Sequence, residues 1–128
     1  MTIETSVAKV WIEADGIIRL HFKPTQQHSL NEAIQVVEAH NRLASGVPRG
    51  VIADIRHVTG GADRSAREYY VSSESARLKT GMAMLVSSPM QRMLGNIFFR
   101  INKPPYPSRM FSNEEDAIHW LQGFCKTP

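Results

Sequence analysis

Two short runs near the start of the chain have strand composition. Val7-Ala8-Lys9-Val10-Trp11-Ile12-Glu13 and Ile17-Ile18-Arg19-Leu20-His21-Phe22 are both rich in β-branched and aromatic residues. Asp15-Gly16 lies between them, and glycine accepts the positive φ of a tight, right-twisted hairpin turn. Pro24 closes the second run, because proline cannot donate to a strand ladder.

Four later segments open with a serine followed three residues on by Glu or Gln: Ser29 and Glu32, Ser65 and Glu68, Ser88 and Gln91, Ser112 and Glu115. This is the capping-box pattern, in which the serine oxygen takes a free N–H of the first turn and the Glu or Gln reaches back. Each precedes an amphipathic run, which predicts four helices. The first carries Leu30, Ala33, Ile34, Val37 and Ala44 and stops at Gly46 and Pro48. The second carries Ala66, Tyr69, Tyr70, Ser73 and Ala76 and stops near Gly81. The third begins with Pro89 at its first position and carries Met90, Met93, Leu94, Ile97, Phe98 and Ile101; it must end before Pro104-Pro105. The fourth carries Ala117, Ile118, Leu121 and Phe124, with Gly123 as its stop.

Short apolar runs separate these helices: Val51-Ile52-Ala53-Asp54-Ile55, Met82-Ala83-Met84-Leu85-Val86 and Ser108-Arg109-Met110-Phe111. Runs of this length without alternation suit strands covered on both faces. The predicted order is ββαβαβαβα. Strand–helix–strand crossovers are right-handed and parallel, so the expected fold is α/β, a five-stranded mixed sheet with four helices.

At 128 residues the chain is expected to form a single domain, 1–128, large enough for one real core. Cys125 is the only cysteine, which excludes an internal disulfide and a cysteine-built zinc site. Apolar runs end far short of a membrane span, so no stable membrane insertion is expected. Met1-Thr2-Ile3-Glu4-Thr5 has no basic-then-apolar signal pattern, which points to the cytoplasm. Charge is uneven: residues 42–109 hold eleven basic and four acidic side chains. The arginines are spread over several elements rather than one stripe, so nucleic acid is not an expected partner.

Three stretches carry a family likeness: Val51-Ile52-Ala53-Asp54-Ile55-Arg56, Leu85-Val86-Ser87-Ser88-Pro89 and Leu94-Gly95-Asn96-Ile97-Phe98-Phe99. Asn102-Lys103-Pro104-Pro105, Arg109-Met110-Phe111-Ser112 and Ala117-Ile118-His119-Trp120-Leu121 extend it. With the order of elements, these resemble the STAS domain of bacterial anti-sigma factor antagonists. More closely, they resemble the small stand-alone SpoIIAA-like, or STAS/SEC14-type, bacterial proteins. The resemblance implies the fold, and a fold does not fix a function. Regulated STAS proteins carry an Asp-Ser-Ser/Thr-Gly motif whose second hydroxyl residue is phosphorylated. Asp63-Arg64-Ser65-Ala66 holds that place here, with Ser65 matching the modified hydroxyl. Arg64 and Ala66 depart from the motif, and Thr59-Gly60-Gly61 lengthens the preceding loop.

Ser65 is therefore a candidate phosphorylation site; a helix cap explains the same residue. Arg56, His57, Ser87 and Ser88 fall after two adjacent parallel strands, where ligands of open α/β sheets bind, and form a candidate anion or ligand pocket. No Gly-x-Ser-x-Gly elbow accompanies Asp54, His57 and the serines, so no catalytic set, and no enzyme, is expected. His21, His28, His40, His57 and His119 lack paired metal spacing, and Gly60-Gly61 lacks a following Gly-Lys-Ser/Thr; neither a metal nor a cofactor is expected.

The third helix is apolar around more than one face. Met90, Met93 and Phe99 cannot all reach the sheet with Leu94 and Phe98, and they form a candidate interface. The reading that follows is a non-enzymatic STAS-like regulatory or protein-interaction module with an unidentified protein partner, and a homodimer through this helix. The alternative, which likeness to the CRAL-TRIO lipid-carrier fold implies, is a small-molecule or lipid-binding domain. A carrier needs an apolar cavity of roughly 300 Å³ or more. In so short a chain such a cavity is expected to compete with the core, which favours the interaction module.

Overall fold

Gly16, at φ +80°, closes the turn between strands β2 (Ala8–Ile12) and β3 (Ile18–Phe22), which pair antiparallel. Asp15 fixes this turn: its carboxylate accepts from the Ile17 N–H at 2.9 Å and from the Arg19 guanidinium at 2.8 and 3.0 Å. The computed structural model describes residues 1–24 and 28–124; Cys125 lies outside the described residues. A short edge strand, β1 (Thr2–Glu4), pairs antiparallel with β2. After helix α1 (Leu30–Ala44) come β4 (Arg49–Asp54), α2 (Arg64–Tyr70), α3 (Ser73–Ala76) and β5 (Lys79–Leu85). The chain ends with α4 (Pro89–Asn102), β6 (Ser108–Phe111) and α5 (Glu114–Gln122).

The sheet has six strands in the order β1-β2-β3-β4-β5-β6, with β3 to β6 mutually parallel. Strands added in sequence order by right-handed crossovers send every connecting helix to the same face. That face carries Leu20, Phe22, Val51, Ala53, Met82 and Met84, packed with Val36, Ala39 and Leu43 of α1, Tyr70 of α2, Ala76 of α3 and Phe98 and Phe99 of α4. The alternate residues Ile52, Ala83 and Leu85 face the other way, onto Ala117 and Leu121 of α5. Three crossovers therefore crowd one face, and a single helix covers the other.

The mixed α/β architecture and the parallel centre agree with the sequence expectation. The counts differ: among the described residues, six strands and five helices replace five and four. β1 is three residues long, below the length at which composition marks a strand. The second expected helix is two, α2 and α3, parted at Val71-Ser72, where Ser72 caps α3 by accepting from the Ser75 N–H at 3.4 Å. Two of the four expected caps also move. Asp63, not Ser65, is the N-cap residue of α2, and Asn113, not Ser112, caps α5 by accepting from the Asp116 N–H at 2.9 Å. Ser29 holds its place, with the Glu32 carboxylate accepting from its N–H at 2.6 Å and its hydroxyl at 2.8 Å. Ser88 also holds, accepting from the Gln91 N–H at 3.1 Å.

Candidate functional site

α4 packs against the sheet face through Gly95 and through the partly buried Phe98 and Phe99. Gly95 is its only buried position, and a Cβ there would lie 2.7 Å from Met110 Sδ and 3.4 Å from Met84 Sδ. Elsewhere α4 stands off, and the space between it, α1, α2 and the sheet is a cavity of about 420 Å³. Leu20, Phe22, Ala53, Met82 and Met84 make the floor, and Val36, Val37 and His40 of α1 make one wall. Opposite them, Met90, Leu94, Ile97 and Ile101 of α4 line the space while remaining solvent-exposed; Ile101 is 69% exposed. The lip beyond Ile55 is the 58–62 loop, with Thr59 and Gly61 exposed.

Few polar groups enter this apolar space. His28 Nε2 and Tyr70 Oη share a 2.5 Å hydrogen bond. Burial lowers the His28 pKa and raises that of Tyr70, so both groups are neutral. Tyr106 Oη donates to the Tyr70 carbonyl at 3.2 Å, and burial pushes its pKa up to about 12. Lys79 donates from Nζ to the Ser75 carbonyl and to Ser75 Oγ, and burial pushes its pKa down to about 7. His40 is fully buried and, through burial and then the neighbouring Lys79, is pushed down to about 3. Its Nδ1 lies 2.9 Å from Asn41 Oδ1, while its Nε2 and Asn102 Oδ1 are buried without a hydrogen-bond partner.

The sequence-derived candidates lie elsewhere, apart from Met90. Arg56, His57, Ser87 and Ser88 do gather beyond β4 and β5, but the Arg56 guanidinium already rests on Asp54, Nε to Oδ1 at 3.0 Å and Nη2 to Oδ2 at 2.9 Å. Burial alone would raise the Asp54 pKa; the hydrogen bonds and charge of Arg56 outweigh it and hold the carboxyl below its ordinary value. His57 is exposed, its ring 5.4 Å from that of His21. The Ser87 hydroxyl donates to Gln91 Oε1 at 3.2 Å, and Gln91 Nε2 donates to the carbonyls of Ile55 at 3.1 Å and Arg56 at 3.2 Å. These contacts tie the start of α4 to the loop after β4 and leave no unpaired guanidinium for an anion.

Ser65 is exposed inside the first turn of α2, where Arg64 pairs with Glu68 at 3.1 Å. Met90 and Met93 are exposed, at 66% and 55%, whereas Phe99 is partly buried against the main core beside Phe98. The candidate interface therefore divides, with Phe99 absorbed by its own subunit. Among the described residues no group of His, Cys, Asp or Glu is placed to hold a metal ion, and no helix is long and apolar enough to cross a membrane.

The sequence expectation is that a cavity competes with the core in so short a chain; one of about 420 Å³ is nonetheless present. Its floor and one wall are core residues, among them Leu20, Phe22, Val36, Ala53, Met82 and Met84, and the exposed helix α4 roofs it. Lys79, His40, Tyr70 and His28 carried no motif and were missed as site residues. The available signal was the over-wide apolar stripe of α4 beside small residues at Ala53, Gly60 and Gly61.

A family model described as "Domain of unknown function (DUF7793)" matches residues 10–125. A protein of the DUF3478 family with a SpoIIAA-like fold, from Shewanella loihica PV-4, superposes with a TM-score of 0.64 at 13% identity, covering 94% of this chain and 98% of that one. This likeness shows a SpoIIAA-like fold. A protein of unknown function from Arthrobacter sp. FB24 is 24% identical over 88% of this chain and 97% of that one, with a TM-score of 0.31. No curated protein matches.

Proposed function

The chain belongs to the DUF7793 family, and we propose that it is a non-catalytic binding module that takes a small, largely apolar molecule under α4. The observation that carries this reading is the cavity of about 420 Å³ roofed by a helix whose apolar residues are left in solvent. Its volume falls in the range of roughly 300–1,000 Å³ typical of small-molecule sites, and such sites pair apolar walls with a few polar groups. A bound chain would cover Leu94, Ile97 and Ile101 on their inner side and give α4 the packing it lacks. Binding of decanol, followed by calorimetry, tests the reading. Saturable binding that disappears when Ala53→Leu fills the floor supports it; no binding, or binding indifferent to Ala53→Leu, removes it.

Met93 favours a second reading, the regulatory or protein-interaction module. It is exposed and does not line the cavity, so a ligand there leaves it uncovered. A homodimer through the outer side of α4 would cover it together with Met90. Sedimentation equilibrium at micromolar protein decides: a dimer that dissociates in Met93→Asp supports this reading, and a monomeric mass removes it.

A further inference from the structure

We infer that the molecule taken by this cavity is an amphiphile with a carboxyl head, lying along α4 with its head at Lys79 and its chain toward Met90. The inference rests on the binding reading above and adds the ligand's charge and direction.

Shape gives the direction. The lining residues of α4 run from Met90 to Asn102, which at the helical rise per residue is about 18 Å. α4 starts beside the carboxyl ends of the strands and returns toward their amino ends, so the space is elongated along the strands. The Met90 end holds Gln91, whose amide is occupied by backbone carbonyls, and the 58–62 lip with Thr59 and Arg67. The Asn102 end holds Lys79, at the first position of β5, with His40 and Tyr106.

Charge and hydrogen bonding give the head. Among the described residues the lining includes Lys79 and Arg67 but no Asp or Glu. Arg67 sits at the lip, donating from Nη1 to the Ala62 carbonyl at 2.5 Å beside the exposed Thr59 and Gly61, whereas Lys79 is set inside the space. Lys79 is not paired: among the described residues it meets only Ser75, and a protonated amine has three N–H donors where Ser75 accepts two. A cation taken out of water is costly unless an anion or good acceptors meet it. Nearby, His40 Nε2 is a buried acceptor with nothing to accept from: Asn41 donates its Nδ2 to Glu74 at 3.3 Å, which leaves Asn41 Oδ1 to receive the proton on His40 Nδ1. The head must therefore accept from Lys79, and a carboxylate does so with a charge that complements the ammonium; a proton taken up from solvent on binding lets His40 Nε2 donate to the same carboxylate.

The charged and titratable groups around this end are His40 on α1, Tyr70 on α2, Arg77 after α3, Lys79 on β5 and Tyr106 before β6. Glu74, the acid nearest Lys79 in sequence, is spent on Arg77 at 3.5 Å and on Asn41.

The test compares sodium decanoate with decanol by titration calorimetry near neutral pH. Decanoate is expected to bind roughly tenfold or more tightly than decanol, because both partners of its contact with Lys79 are charged, whereas decanol offers a neutral oxygen. In Lys79→Met, which keeps the length and loses the charge, that preference should vanish while decanol affinity stays within about twofold. On the wild-type protein, decanoate binding measured in two buffers of different ionisation enthalpy should show proton uptake, and decanol should show none. Equal affinity for the two, or a decanoate preference that survives Lys79→Met, overturns the carboxyl inference and leaves the apolar cavity standing. Failure of both probes removes the cavity reading itself. Should Lys79→Met not fold, the proton uptake on the wild type decides alone.

Discussion

Gly95 of α4 sits directly over Met110 of β6, so close that a Cβ on the glycine would come within 2.7 Å of Met110 Sδ. A glycine in a helix interior costs about 1 kcal/mol relative to alanine, so its presence here needs a packing reason. The close approach supplies it, because it seats α4 on β6, beside the packed Phe98 and Phe99, while Met90, Leu94, Ile97 and Ile101 roof the cavity. Gly95→Ala gains helix propensity and displaces only a flexible thioether; its unfolding free energy should stay within about 1 kcal/mol of the parent. Gly95→Leu cannot be absorbed this way and should cost about 1–3 kcal/mol in urea unfolding by forcing α4 outward. A Gly95→Leu protein as stable as the parent would show that α4 is not held at this contact.

The cap assignments separate by mutation as well. Ser65 is an exposed residue of the first turn of α2, preceded by Asp63 at the N-cap position. Ser65→Ala should therefore change stability by no more than about 0.5 kcal/mol. Ser88 and Asn113 accept backbone N–H groups with their side chains, and Ser88→Ala and Asn113→Ala should each cost about 1 kcal/mol. Thermal unfolding of the variants checks the ranking. A loss at Ser65 equal to that at Ser88 would restore Ser65 as the cap.

These caps show how far the sequence could be read. The hairpin at Asp15-Gly16 and the unalternating runs that became β4 and β5 report local chemistry and two-sided burial, and both survive in the fold. Ser65-Ala66-Arg67-Glu68 matches the same four-residue pattern as Ser88-Pro89-Met90-Gln91, yet only the second is a cap. The difference lies in where the preceding chain becomes extended: Asp63 has φ −60° and ψ 157°, which a local pattern does not report. The cavity was legible even less. Lys79, His40 and Asn102 are distant in sequence and meet only because the crossovers crowd one face of the sheet. The excess apolar surface of α4 was visible, but an uncovered stripe reads the same whether its complement is another chain or an open space beneath it.

Ala53 is the smallest residue on the cavity floor that is not glycine, and it is nearly fully buried on β4. Ala53→Leu places its added carbons in empty space. Filling a void commonly stabilises by about 0.5–2 kcal/mol, and that gain should appear as a raised Tm with loss of ligand binding. A destabilised Ala53→Leu would mean that the floor is packed tightly enough to reject the added side chain, and that the space above it is smaller than the structure shows.

His40 and Lys79 give the stability a pH dependence of definite sign. His40 is held neutral down to about 3 in the fold, against an ordinary value near 6.5 once unfolded. Between those values the unfolded chain binds the extra proton. Stability contributed by neutral burial is therefore full above about 6.5 and is lost as pH falls toward about 3. Lys79 behaves alike at higher pH: its folded pKa of about 7 lies below the ordinary 10.5, so stability should keep rising with pH between them. Each group can contribute at most about 1.4 kcal/mol per pH unit inside its own window. Urea midpoints measured from acid to alkaline pH should show both slopes. Lys79→Met should flatten the alkaline one and, by removing a charge that helps hold His40 neutral, shorten the acid one; His40→Gln should flatten the acid one. An alkaline slope unchanged in Lys79→Met would mean that the lysine keeps its charge in the folded protein, solvated through the open side of the cavity.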